Sequence, residues 1–235
     1  MIQALDTAEC MAEAGHLTDA EIVFAHAISK TSDPEAFIRY GHFLTSGGRL
    51  TQAEEMYRQG LALPGAGENP WLATGYNGLG HIYETRGKPE RAEAMYTQAL
   101  KIAKQVEAHK EMSSAYANLG RVYETQGHLD EAERMYRQAF EIAKRIDDYR
   151  EMSSAYANLG RVYETQGRLD EAEQLYRKAL DMAKRANDRQ GMSHAYVGLG
   201  RAYEMRQDFD EAEQRYRQAL EIEEQLGNPE GVSHI

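Results

Sequence analysis

Three residue types recur at an interval of 40 along the chain, and together they could do chemistry. Arginines stand at Arg121, Arg161 and Arg201, with His81 at the preceding place in the series. Three residues after each comes a carboxylate, at Glu84, Glu124, Glu164 and Glu204. Three residues before the arginines lie Asn118, Asn158 and Gly198, with Gly78 before His81 and Asn77 one residue earlier still. An amide both donates and accepts, so it can bond the main chain of another polypeptide. A guanidinium offers a planar fork that grips a carboxylate through two parallel bonds. The same residues also allow a self-contained arrangement. Each arginine would then pair with the glutamate three residues on, or with one in the next repeat, as a surface ladder contributing about 0–1 kcal/mol per pair.

Other chemistries find less support. The eight histidines (16, 26, 42, 81, 109, 128, 194 and 234) are scattered and make no His-Glu-x-x-His or Cys/His spacing, so neither a metal nor a cofactor is expected. The single cysteine, Cys10, has no nearby histidine to activate it and reads as a packed core thiol. Dinucleotide, P-loop and nucleophile-elbow glycine motifs are absent, and no catalytic residues are assigned. With Lys+Arg 27 against Asp+Glu 38, the net charge of −11 opposes phosphate binding, so a nucleic-acid partner is not expected. No apolar run approaches the ~20 residues of a membrane span, and the first residues lack a secretory pattern. A cytoplasmic setting is the expectation. Five prolines, 42% hydrophobic residues and 15 tyrosines argue for a folded chain.

The elements that position these columns come from an internal repeat. The segment EMSSAYANLGRVYETQG occupies 111–127 and returns unchanged at 151–167. Gly80, Gly120, Gly160 and Gly200 keep the period, as do Ala92, Ala132, Ala172 and Ala212, and Tyr96, Tyr136, Tyr176 and Tyr216. Weaker copies precede them, giving six units at approximately 1–33, 34–72, 73–112, 113–152, 153–192 and 193–231, with 232–235 opening a truncated further unit. Within a unit, Tyr116, Leu119, Gly120 and Tyr123 form one helical stripe, and Gly127 ends that helix. Asp130 with Glu133 reads as a capping box opening a second helix, recurring as Asp170/Glu173, Asp210/Glu213 and Thr51/Glu54. That helix buries Ala132, Tyr136, Ala139, Phe140 and Ala143. Asp33-Pro34, Asn69-Pro70 and Asn228-Pro229 read as helix starts. Nothing alternates with period two, so the expected fold is all-α.

The pattern Tyr116-x2-Leu119-Gly120-x2-Tyr123, then Ala132-x3-Tyr136, then Ala139 resembles the tetratricopeptide repeat, with Tyr where Trp and Phe are usual. Two departures stand out. The closing proline is replaced by Lys144 and Lys184, and the unit is 40 residues rather than about 34, which predicts a second helix longer by one to two turns. This long form is similar to the repeats of kinesin light chains, partner-of-inscuteable-type adaptors and bacterial peptide-sensing regulators, all of which bind peptides or proteins. The resemblance implies helix pairs stacked as a right-handed superhelical solenoid, with the first helix of each pair lining a concave side.

On that side would lie Ser114, Ala117, Asn118, Arg121, Glu124 and Thr125, roughly opposite Tyr116 and Tyr123. The resemblance therefore implies a non-catalytic scaffold that takes a protein or peptide ligand in a groove. Its contacts would be Asn77, His81, Asn118, Arg121, Asn158, Arg161 and Arg201, with the arginines taking acidic groups. A two-carboxylate clamp is not expected, because Ala117, Ala157 and Val197 stand where such clamps carry lysine. The lone Trp71 is expected to plug the irregular 64–70 connection rather than anchor a partner. Uncapped ends give a second expectation, self-association into a homo-oligomer through exposed Leu220 and Ile222, with Glu223 turned to water. A regulatory repeat domain of a larger protein is the third.

Overall fold

The computed structural model describes residues 2–63, 69–227 and 231. Among these residues there are twelve helices and no strand. They pair in chain order: α1 (Ile2–Glu13) with α2 (Leu17–Ser29), α3 (Pro34–Ser46) with α4 (Leu50–Leu61), and α5 (Trp71–Thr85) with α6 (Pro89–Gln105). Then follow α7 (His109–Thr125) and α8 (Leu129–Arg145), α9 (Tyr149–Thr165) and α10 (Leu169–Arg185), and α11 (Arg189–Met205) and α12 (Phe209–Leu226). The repeat boundaries drawn at 72/73, 112/113, 152/153 and 192/193 thus fall inside the first turns of α5, α7, α9 and α11. No helix among the described residues is long and apolar enough to cross a membrane.

The chain divides into two compact units, residues 1–118 and 119–235, with the division inside α7. In each, a second helix packs on its own partner and on the first helix of the next pair; α4 touches α3 and α5, and α10 touches α9 and α11. The extra length of the 40-residue repeat is shared by both helices. The second helix grows from 12 residues in α4 to 17 in α6, and the first from 13 in α3 to 17 in α9.

Side-chain size explains why the pairs close so tightly. Tyr96, Tyr136 and Tyr176 are fully buried, each ring lying against a glycine of its partner helix. A Cβ at Gly120 would stand 2.6 Å from the Tyr136 ring, and one at Gly160 2.8 Å from that of Tyr176. The buried hydroxyl of Ser153 donates to the Ala179 carbonyl at 2.8 Å, tying α9 to α10.

The turns correct the expected capping box. Gly127, at φ 79°, lets the His128 amide reach the Tyr123 carbonyl at 2.8 Å and its own amide reach Glu124 O at 3.0 Å, a Schellman closure. That closure makes His128 the N-cap of α8, without a side-chain bond, and leaves Asp130 inside the first turn, where it favours the helix dipole. Arg168, Asp208 and Arg49 stand likewise before α10, α12 and α4. The turns from second to first helix use the same closure with Glu107, Asp147 and Asn187 at φ near 53°, and Asp148 caps α9 through the Glu151 amide at 3.1 Å. Asp33 accepts from the Glu35 amide at 3.0 Å and Asn69 from that of Trp71 at 2.9 Å; Asn228-Pro229 lies outside the described residues.

Three burial expectations fail. Cys10 is exposed on α1 rather than packed. Ile222 is only 7% exposed and Leu220 half-buried, because Ile222 continues the Ala212–Ala219 face of α12 that packs within its pair. Glu223 is not turned to water either, at 3% exposed. The exposed apolar side chains here are Met205, Phe209 and Leu226.

Candidate functional site

Five of the seven residues expected to meet a partner line a cleft between first helices, two of them in one compact unit and three in the other. In residues 119–235 a cleft of about 520 Å³ opens between α9 and α11, with Tyr176 of α10 among its walls. Asn158, Arg161 and Arg201 all line it, together with Ser154, Gln190 and His194. In residues 1–118 a cleft of about 460 Å³ opens between α3 and α5, walled by Tyr57, with Lys110 and Glu111 from the start of α7. Asn77 and His81 line this one, as does half-buried Trp71, which also packs on the core of its unit. The 64–68 part of the segment Trp71 was expected to plug lies outside the described residues. Asn118 and Arg121 are half-buried one turn apart on α7, each already engaged within the chain, and neither lines these two clefts.

Beneath the arginines runs a hydrogen-bonded rung that the sequence shows only in part. Arg161 grips Glu124 of the preceding pair through two bonds, Nε to Oε1 at 2.5 Å and Nη2 to Oε2 at 2.7 Å. The Tyr136 hydroxyl donates to the same Oε2 at 2.8 Å. The partner is therefore neither the glutamate three residues on nor one in the following repeat, but one 37 residues back. Glu124 holds the Arg161 guanidinium above its ordinary range, while burial, reinforced by Glu124, raises the Tyr136 phenol. In the next rung the Tyr176 hydroxyl donates to Glu164 at 2.7 Å, but Arg201 meets Glu164 only through Nη2, at 3.3 Å, and the Tyr176 oxygen at 3.2 Å. The Nε of Arg201 is buried with no acceptor.

In the other cleft the rung changes chemistry. Thr45 on α3 stands where Glu84 stands on α5, and its hydroxyl lies 3.2 Å from that of Tyr57. His42 replaces arginine, its ring edge-on to Tyr57 at 5.7 Å. Burial pushes the Tyr57 phenol up to about 12, partly opposed by the Thr45 bond. Desolvation among the cleft walls holds His42 below the usual imidazole range, with Glu9 opposing and His81 reinforcing the shift. Asn77 keeps a buried Oδ1 without a donor.

Sequence reasoning missed a second set of rungs and one anchor. Tyr163 donates to Glu133 at 2.9 Å and accepts from Arg137 at 2.8 Å. Tyr203 does the same with Glu173 and Arg177, and Arg206 reaches Glu173 at 2.5 Å. Tyr83 bonds Glu54 and Arg58, with Arg86 also on Glu54. The signal was present as Glu-x3-Arg in the second helix (133/137, 173/177, 54/58) facing a tyrosine of the next pair. Arg39 occupies the asparagine position of α3, where Asp6, Glu9 and Glu35 hold it almost fully buried. Among the described residues no group of three or more His, Cys, Asp or Glu side chains is placed to hold a metal ion.

Comparison with known proteins gives this geometry a family. The family described as MalT-like TPR region matches residues 79–234, and the one described as Tetratricopeptide repeat matches residues 34–105. No curated protein sequence matches the chain. Among solved structures, BtubC (BKLC) from P. vanneervenii is similar at 24% identity and a TM-score of 0.68, over 96% of this chain and 89% of that one. The nearly identical TPR-like repeats of a putative kinesin light chain from Podosopora anserina align at 18% identity and a TM-score of 0.63, over 82% of this chain and 95% of theirs. The STAND protein PH0952 from Pyrococcus horikoshii, which carries a tetratricopeptide repeat sensor, aligns at 18% identity and a TM-score of 0.77, over 91% of this chain and 32% of that one. Matched over more than half of its length, the chain belongs to the MalT-like TPR region family and is an all-α tetratricopeptide-repeat protein.

Proposed function

We propose that this chain is a non-catalytic scaffold that captures a segment of a protein partner between its first helices. The fold to which it belongs mediates protein–protein interaction. The observation that carries the finer reading is the convergence of Asn158, Arg161 and Arg201 on one cleft of about 520 Å³. Its side chains suit a polypeptide: an amide for main-chain N–H and C=O groups, and guanidinium groups for acidic side chains. Selection of a displayed random dodecapeptide library on the wild-type protein tests this. Enriched peptides should lose affinity for Asn158→Ala/Arg201→Ala while circular dichroism stays helical. Failure to enrich any peptide, or retention of full affinity by the double variant, overturns it.

Self-association is the second reading, moved from Leu220 and Ile222 to the side chains that are exposed, Phe209 at 63% and Leu226 at 44%. Light scattering over a wide concentration range should then show a mass that rises with concentration and falls back in Phe209→Glu. A constant monomer mass rejects it.

A further inference from the structure

We infer that the cleft between α9 and α11 holds an unfilled carboxylate position at Arg201, which takes the side chain of one aspartate or glutamate of the bound segment; this rests on the peptide-binding reading above. The two arginines of this cleft differ in what they have left to offer. Arg161 already has one edge of its fork, Nε and Nη2, on Glu124 at 2.5 and 2.7 Å, so a ligand carboxylate taking that edge must displace a bidentate partner. Arg201 shares one nitrogen between Glu164 at 3.3 Å and the Tyr176 oxygen at 3.2 Å, and its Nε–H has no acceptor. A buried donor without a partner is destabilising, and an incoming carboxylate that draws the half-exposed guanidinium toward it removes that defect.

The surroundings select the sign of the ligand. Asn158, Gln190 and His194 line the same cleft and can donate, while the Ser154 hydroxyl beside them already donates to the Arg150 carbonyl at 3.2 Å. Among the described residues its one lining carboxylate, Glu223, is almost fully buried and already engaged within the chain. Gly198 faces the cleft where α9 has Asn158, and the Tyr176 ring fills that place so closely that a Cβ would stand 2.5 Å from it. The amide and the open fork are therefore on opposite walls, α9 and α11, and a segment lying between them meets one on each side.

The test extends the library selection. On wild type, the enriched peptides should share one acidic position, and Asp→Asn there should weaken binding roughly tenfold. On Arg201→Gln that substitution should cost nothing, while on Arg161→Gln the tenfold preference should remain. Arg201→Lys, which retains the charge but lacks the fork, serves if Arg201→Gln fails to fold, and should reduce the preference at least threefold. Peptides enriched without an acidic position, or a preference equally strong on the Arg201 variants, overturn the inference and leave the scaffold reading standing. Absence of any enriched peptide overturns both.

Discussion

Replacing Glu124 by glutamine separates a structural rung from a ligand-binding arginine. The carboxylate is 14% exposed and receives three bonds, two from Arg161 and one from the Tyr136 hydroxyl. Glutamine keeps the shape but turns one acceptor oxygen into a donor, so one Arg161 bond is lost and a donor faces a donor. Arg161 is a little over one-third exposed, which screens part of the loss, so Glu124→Gln should cost about 1.5–3 kcal/mol. Glu164→Gln disturbs a rung in which arginine contributes one 3.3 Å contact, and should cost only about 0.5–1.5 kcal/mol. At about 2–4 °C per kcal/mol for a chain of this size, the first variant should melt roughly 3–12 °C below wild type and the second at most about half as far. Hydrogen exchange should place the first loss in α8 and α9 and the second in α10 and α11, since repeat arrays respond locally. Equal losses, or a larger one for Glu164→Gln, would refute the claim that bond geometry sets the strength of the rungs. No loss for Glu124→Gln would make Arg161 a ligand residue that merely rests on the carboxylate.

Gly120→Ala should be net destabilising by about 1–2 kcal/mol in denaturant titration, because overpacking against the Tyr136 ring outweighs the gain of about 1 kcal/mol in helix propensity. Gln207 has φ 66° where the earlier turns have Gly87, Gly127 and Gly167, so Gln207→Gly should raise stability by about 0.5–1 kcal/mol; a decrease would contradict the left-handed assignment. Burial alone would raise the carboxyls of Glu54 and Glu173, but Arg86 and Arg58 around the first, and Tyr203 and Arg206 around the second, more than offset it and hold both below the usual range. A depressed folded-state value means stability present above the unfolded carboxylate range and lost as pH falls through the folded one. Acid titration of Glu54→Gln/Glu173→Gln by circular dichroism should accordingly show a shallower loss than wild type below about pH 4.5.

The repeat was legible because it is written twice over, in period and in residue size. A glycine at 120 facing a tyrosine at 136 announces a close helix pair without any coordinates. The location of Asn158, Arg161 and Arg201 in one cleft followed from the same period. What escaped was the offset of one pair against the next. Arg121 and Glu124 are neighbours on one helix, yet the stack sets Arg161 over Glu124, and that displacement comes from packing between pairs rather than from spacing within one. The capping box failed for a related reason. Asp130 and Glu133 have the right separation, but the Schellman turn starts the helix at Leu129 and hands Glu133 to Tyr163 and Arg137. Ile222 misled because a terminal helix still has an inner face.

The rungs also give the array a grammar of insertion. Within residues 119–235 the α9 unit brings an arginine, Arg161, for the unit before it and a glutamate with its tyrosine, Glu164 and Tyr176, for the Arg201 of the unit after. Copying a whole unit therefore adds one matched rung and orphans no charge, and deleting one closes the gap with an equivalent pair. The segment at 111–127 returns unchanged at 151–167, and both copies carry the arginine and the glutamate at the rung positions. Adding a whole repeat therefore keeps this pairing, whereas an insertion between Arg161 and Glu164 would turn the two off their common helix face.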